Sequence, residues 1–213
     1  MEVIPRLDEG VNVKESIGFP RNLPRVPALS FANYENFGRK IARGKKYLLE
    51  YHEITKYRIE IAEYCLKLLL DNYDDDIVFV AGLTGFLVQA KASLDSLCQE
   101  INLYCELNVG QRIEYVTDTE ELTEPHNLLI LSKKNAKLSE FLVQELSASS
   151  PWFATFMILH DSEGIHKRQS PRIIPLGIVP HDIEVGDKKI TEFCVESHSR
   201  INQITEKSYG LMT

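Results

Sequence analysis

One run of apolar residues constrains this chain more than any other feature. Val80, Leu83, Leu87, Ala90, Leu94, Leu97, Ile101 and Tyr104 alternate steps of three and four residues without a break. A helix of 3.6 residues per turn lines all of them along one stripe. Such a stripe is a heptad-like seam suited to antiparallel packing against a neighbour. Asp76 predicts the N-cap and Asn108 or Gly110 the stop, which makes the helix roughly 45–50 Å long at 1.5 Å rise per residue. Upstream, Tyr47, Tyr51, Ile54, Tyr57, Ile61, Cys65 and Leu68 recur at similar helical steps. The connection from Asn72 to Asp76 is too short to do anything but turn the first helix back along the second. The foundation of the fold is therefore a long antiparallel helical hairpin. A tyrosine-rich stripe on its first arm suits core or interface, because each ring buries well while its hydroxyl wants a partner.

The remaining elements follow from punctuation. Pro125 opens a third helix that runs to about Ser147 on the apolar face of Leu128, Leu131, Leu138, Phe141, Leu142 and Leu146. Ser150 and Pro151 are a favoured N-cap and first residue for a fourth helix, beginning Trp152-Phe153 and stopping before Pro171. The stretch 173–179 is broken by Pro175 and Gly177 and reads as extended, with 183–185 as its pairing partner across a turn near Pro180. Asp187 is the expected cap of a last helix carrying Ile190, Phe193, Cys194, Ile201, Ile204 and Leu211. The expected fold class is mainly α: a bundle of about five helices with a small extended or β insertion before the last. Pro5, Pro20, Pro24 and Pro27 exclude a long helix near the start, so residues 1–30 are expected to be an irregular N-terminal arm. Residues 31–213 form a single helical-bundle domain, since no linker-like tract divides them.

Charge and cysteine usage narrow the function classes. A formal net charge of -7 disfavours a broad nucleic-acid groove, because phosphates are repelled at long range. Cys65, Cys98, Cys105 and Cys194 form no C-x-x-C pair, and free thiols suit a reducing compartment. No cationic-then-apolar leader follows Met1, and no apolar stretch reads as a bilayer span. The expected location is therefore cytoplasmic, without a membrane. Neither G-x-x-x-x-G-K-[ST] nor G-x-G-x-x-G occurs, which removes P-loop and Rossmann enzymes. Lys133, Lys134 and Lys137 read as a solvated face, Lys91 and Asp95 as a surface or interface pair, and His52, His126, His181 and His198 as isolated histidines.

Chemistry concentrates in "LHDSEGIHKR", residues 159–168. One reading is the wet end of an apolar helix, where histidine and lysine complement the helix dipole. A second is a metal site from H-x-x-E-x-x-H, with His181 or His198 as a further ligand. Its ligands spread over a wide arc, H-E-x-x-H is absent, and Glu163-x-x-His166 finds no second E-x-x-H of a di-metal bundle. Neither a metal nor another cofactor is expected.

The third reading is a resemblance. The order of elements is a helical hairpin, a heptad-like second helix, a third helix, then a fourth opening on Trp152 and ending in a charged doublet before a histidine. That order resembles the HEPN superfamily, as does "LVQAKASLDSLCQEIN", residues 87–102. In the family motif Asp161 matches the polar position and His166 the terminal histidine, while His160 stands where the family has arginine. The resemblance implies a homodimer with facing motif helices, RNA or a nucleotide as ligand, and an antitoxin-like cognate partner. In active members, metal-independent ribonucleases and toxins, the histidine moves protons at the 2′-hydroxyl or leaving oxygen and the arginine holds the scissile phosphate. Histidine replaces a bidentate guanidinium poorly. The expected function is accordingly a dimeric binding or regulatory module in nucleic-acid or nucleotide processing, with weak or no catalysis. The alternative is a ribonuclease using His166 with His160 as acid and base near neutral pH, with Asp161 in the same catalytic set and Lys167 or Arg168 contacting phosphate.

Overall fold

The computed structural model describes residues 31–41, 46–109, 125–162 and 184–212. Within them the chain is a mainly helical bundle. In order, the helices are α1 (Ala32–Ile41), α2 (Lys46–Asp71), α3 (Asp76–Cys105), α4 (Pro125–Lys134), α5 (Ala136–Leu146), α6 (Pro151–Ser162) and α7 (Ile190–Met212). The hairpin of α2 and α3 is the predicted foundation, and α7 packs against α1, α2, α3 and α5.

The turn between the hairpin arms is built from side-chain chemistry. The Asp75 carboxylate accepts hydrogen bonds from the backbone N–H groups of Ile77 (3.0 Å) and Val78 (3.1 Å). The cap is thus one residue earlier than expected, and Asp76 is the first helical residue. Two glycines let the arms approach closely. A methyl on Gly82 would stand 2.8 Å from the Leu69 backbone nitrogen and 3.0 Å from the Cys65 carbonyl oxygen. At the far end α3 stops at Cys105, earlier than Asn108 or Gly110. Glu106 turns into left-handed backbone at φ 53°, as does Asn108 at φ 58°. The Asn102 side chain clamps the reversal, donating to the Val109 carbonyl (2.6 Å) and accepting from its N–H (3.0 Å).

Seven helices stand among the described residues where about five were expected. A separate α1 precedes the first arm of the hairpin. Its N-terminal N–H groups at Asn33 and Tyr34 are capped by the Glu206 carboxylate of α7, at 2.9 and 3.2 Å. The expected third helix is split at Asn135, whose side chain leaves the helical path to cap α5 by accepting from Leu138 N–H (3.0 Å) and to hold the Leu211 carbonyl (2.7 Å). Ser150 and Pro151 begin α6 as expected, with Phe153 N–H on the Ser150 hydroxyl.

The small β element precedes the last helix as expected, but its pairing is local. Glu184–Val185 (β1) pairs antiparallel with Lys188–Lys189 (β2) around Gly186, which takes φ 68°. Asp187 therefore sits in the hairpin turn and α7 starts at Ile190, so Asp187 is not its cap. The stretch 173–179 and the arm at 1–30 lie outside the described residues.

The α3 seam is buried from Leu83 to Ile101, and most other core side chains close around it. By length and composition α3 is apolar enough to cross a bilayer, which corrects the expectation that no stretch is. Half of its most apolar window lies inside the bundle, and Lys91, Asp95 and Glu100 are buried on it. Lys91 donates to Asp95 at 2.6 Å with both side chains nearly closed to water. Of the surface or interface pair expected, the surface alternative is corrected: the pair is buried.

Candidate functional site

α6 carries the first four residues of the decapeptide, 159–162, and turns one face to the core. Phe153, Phe156 and His160 fall at i, i+3 and i+7, so all three face inward, and His160 is only 4% exposed. Ile158 points out on the opposite side. The Asp161 side chain, together with His166, Lys167, Arg168, Glu163 and His181, lies outside the described part. Among the described residues no group of three His, Cys, Asp or Glu side chains converges to hold a metal ion.

The structure assembles a different constellation in the centre of the bundle. Glu100 on α3 is fully buried, and three side chains from two other helices converge on its carboxylate. His52 Nδ1 of α2 lies 2.9 Å from Oε2. The Thr55 hydroxyl, one turn along α2, makes a short contact with Oε1, and the Tyr209 hydroxyl of α7 donates to Oε1 at 2.9 Å. His52 Nε2 faces the Tyr34 carbonyl of α1 at 3.0 Å, and the Tyr34 ring stacks on the imidazole at 3.7 Å between centroids.

Burial pushes the Glu100 carboxyl above the usual range, while the hydrogen bonds from His52, Thr55 and Tyr209 act to lower it. The Tyr209 hydroxyl is likewise raised, by burial and then by the adjacent carboxylate. A carbonyl can only accept, so His52 carries its proton on Nε2 towards Tyr34. One further proton sits between Nδ1 and the carboxylate, and the pair is neutral as a unit whichever atom holds it. His52, Thr55, Glu100 and Tyr209 are all buried side chains. This geometry ties four helices together and offers a substrate no approach. The isolated reading of His52 is thus corrected. Its partner lies 48 residues away on a helix apolar nearly all round, and the signal for it was present: a helix of that kind is buried, so its few polar residues must find internal partners.

A second histidine is a contrast. His198 on α7 is buried with neither ring nitrogen hydrogen-bonded, close to the Phe86 ring. Desolvation lowers its pKa, with opposing influences from Glu63 and Lys67.

A groove of about 500 Å³ opens where α5, α6, α7 and β2 meet. Its floor carries Phe141 and Ile204, and its wall the indole of Trp152, which is fixed by donation to the Ser197 hydroxyl at 3.0 Å. Three cations open on it. Arg200 lies 5.2 Å from the Trp152 ring and pairs with Glu145 at 2.9 Å. Lys188 pairs with Glu196 at 2.7 Å. The Lys207 ammonium rests over the Phe141 ring, 4.3 Å from its centroid. Ser199, Arg200, Gln203 and Lys207 reach the groove together because steps of one, three and four keep them on one helical face. No reading of the sequence singled these residues out, because they come together only through the packing of α5 and α6 against α7. Lys133, Lys134 and Lys137 are exposed, as a solvated face should be.

Fold and site define a helical bundle pinned by a closed polar core and bearing an aromatic, mixed-charge groove at its side. Comparison with models of protein families, with curated proteins and with solved structures returned no match.

Proposed function

We propose that this chain is a HEPN-like binding or regulatory module that takes a nucleotide or a short RNA segment in the α5–α6–α7 groove, with weak or no catalysis. The observation that carries the reading is the presence of Trp152, Arg200, Lys207 and Lys188 on one cavity. An indole edge or face gives a base something to stack on, and cations position phosphate. The volume falls within the range of small-ligand sites, about 300–1,000 Å³. Glu145 and Glu196 hold Arg200 and Lys188 in place, so the site is local and mixed in charge. That agrees with a chain whose net charge is -7. His160, turned into the core, supports the absence of strong catalysis.

Trp152 is the sole tryptophan of the chain, so its fluorescence reports on the groove directly. Titration with a nucleoside triphosphate and with a short oligoribonucleotide is expected to change the emission saturably, and more weakly as salt rises. Lys207→Ala should weaken binding, while Lys133→Ala should leave it unchanged. Emission that stays flat with both ligands would refute the reading.

A further inference from the structure

We propose that two copies of this chain associate through the outer face of α2, antiparallel, with Tyr57 and Tyr64 at the centre of the contact. This goes beyond the groove reading and does not depend on it. α2 carries two apolar seams. The inner one is Leu48, His52, Thr55, Ile59, Ala62, Leu66 and Leu69, all buried against the bundle. The outer one is Tyr47, Ile54, Tyr57, Ile61, Tyr64 and Leu68, again at steps of three, four and seven. A surface helix needs one apolar stripe to join its fold. A second stripe at heptad spacing is the pattern by which helices pair with one another.

The outer seam faces solvent. Tyr47 is 75% exposed, Ile54 41%, Tyr57 62% and Tyr64 68%. Tyrosines so exposed present on the order of 100–170 Å² each, taking about 150–250 Å² for a whole aromatic side chain. With Ile54, Ile61 and Leu68, the continuous part from 54 to 68 presents roughly 400 Å², within the ~300–600 Å² of the largest patch a monomer leaves open. The flanking charged residues bring it towards the ~800 Å² per partner of a stable interface.

Spacing and charge select a second copy as the occupant. A two-fold axis crossing α2 near Ile59 and Glu60 sets Ile54 against Tyr64 of the partner subunit and Tyr57 against Ile61 of the partner subunit. Every central layer then matches an aromatic ring with a branched aliphatic side chain. Glu53 on the flank comes opposite Lys67 of the partner subunit, twice by symmetry, which outweighs the approach of the two Glu60 side chains at the axis. Lys67 is exposed and already beside Glu63 of its own helix. On the other flank Arg58 is held down on α3 by Gln89 at 2.7 Å. Glu50 interrupts the seam near its start, which leaves 54–68 as the continuous part.

Light scattering on the full chain across a concentration series tests this. The wild type is expected to be a dimer. Tyr57→Glu and Tyr64→Glu should each weaken association by about tenfold or more, with circular dichroism unchanged because neither ring is in the core. Lys67→Glu should weaken it severalfold, and Glu53→Lys in the same chain should restore it. A wild type that stays monomeric throughout overturns the proposal, whether another protein or another part of this chain covers the seam. A dimer that survives Tyr57→Glu combined with Tyr64→Glu overturns it as well. Trp152 emission in Tyr57→Glu should respond to nucleotide as in the wild type, so the two proposals fail separately.

Discussion

His52 Nδ1 lies 2.9 Å from Glu100 Oε2, and neither side chain reaches solvent. The pair shares one proton and joins α1, α2, α3 and α7. Removing one partner strands the other, which typically costs about 3–5 kcal/mol for a buried charge pair. His52→Ala and Glu100→Ala should each lose that much in urea unfolding. Glu100→Gln should be far milder. Its amide N–H can donate to Nδ1, its carbonyl can accept from Tyr209 and Thr55, and Nε2–H still meets the Tyr34 carbonyl. The raised carboxyl of Glu100 also has a sign. Its contribution to stability is fully present below the unfolded pKa near 4.5 and is lost as pH rises through the higher folded value. Glu100→Gln should remove that loss on the alkaline side.

His198 slopes the other way. Its pKa is lowered in the fold by desolvation. The unfolded chain, with a histidine pKa near 6.5, therefore binds a proton that the folded chain refuses. Stability from this group is present above about 6.5 and is lost as pH falls towards the folded pKa. Urea midpoints at neutral and mildly acidic pH should show the wild type weakening on acidification and His198→Leu weakening less. At neutral pH His198→Leu should match or exceed the wild type, because it removes two orphan nitrogens whose burial costs about 1–3 kcal/mol. A variant with the same acid sensitivity as the wild type would count against this.

Gly82 and Gly85 predict opposite outcomes for one substitution. Each glycine in a helix interior costs about 1 kcal/mol relative to alanine, so Ala should help where space allows. At Gly82 a methyl meets the backbone of Leu69 and Cys65, and the two arms would have to part. Overpacking of that kind costs about 1–3 kcal/mol, so Gly82→Ala should destabilise on balance. At Gly85 the nearest atom is the Cys65 sulfur, a side chain that can turn aside. Gly85→Ala should be near neutral or stabilising. Thermal melts of the two variants side by side decide the matter.

The hairpin was legible because eight apolar residues hold one phase over 25 positions, and nothing but a helix keeps that phase. The break at Asn135 was hidden for the same reason: Leu131 and Leu138 stay in step across it, while the Asn135 side chain caps a new helix. Asp75 and Asp76 are equivalent caps on paper, and only the approach of the Asp75 carboxylate to two N–H groups separates them. The Glu100 network and the groove join residues 45–109 and up to 66 positions apart, respectively. Periodicity reveals which face of a helix is apolar but not which other helix it meets. His52 therefore read as an isolated histidine and Trp152 as an aromatic opening a helix, without their partners being known.

Proton transfer at a ribose hydroxyl needs a histidine within about 2.6–3.2 Å of the reacting atom, and His160 is turned into the core beside the stripe of Phe153 and Phe156. A structured RNA incubated with wild type, His160→Ala and His166→Ala should be cleaved to the same background extent by all three. His160→Ala should instead show its effect in stability, since it empties a buried position on α6. Cleavage by the wild type that His166→Ala abolishes, with His160→Ala still folded, would show that the helix end opens to solvent and that the module is an enzyme. Equal background, together with nucleotide-dependent emission from Trp152, would place recognition at the first turn of α6, about 12 Å along the helix from His160 at 1.5 Å per residue.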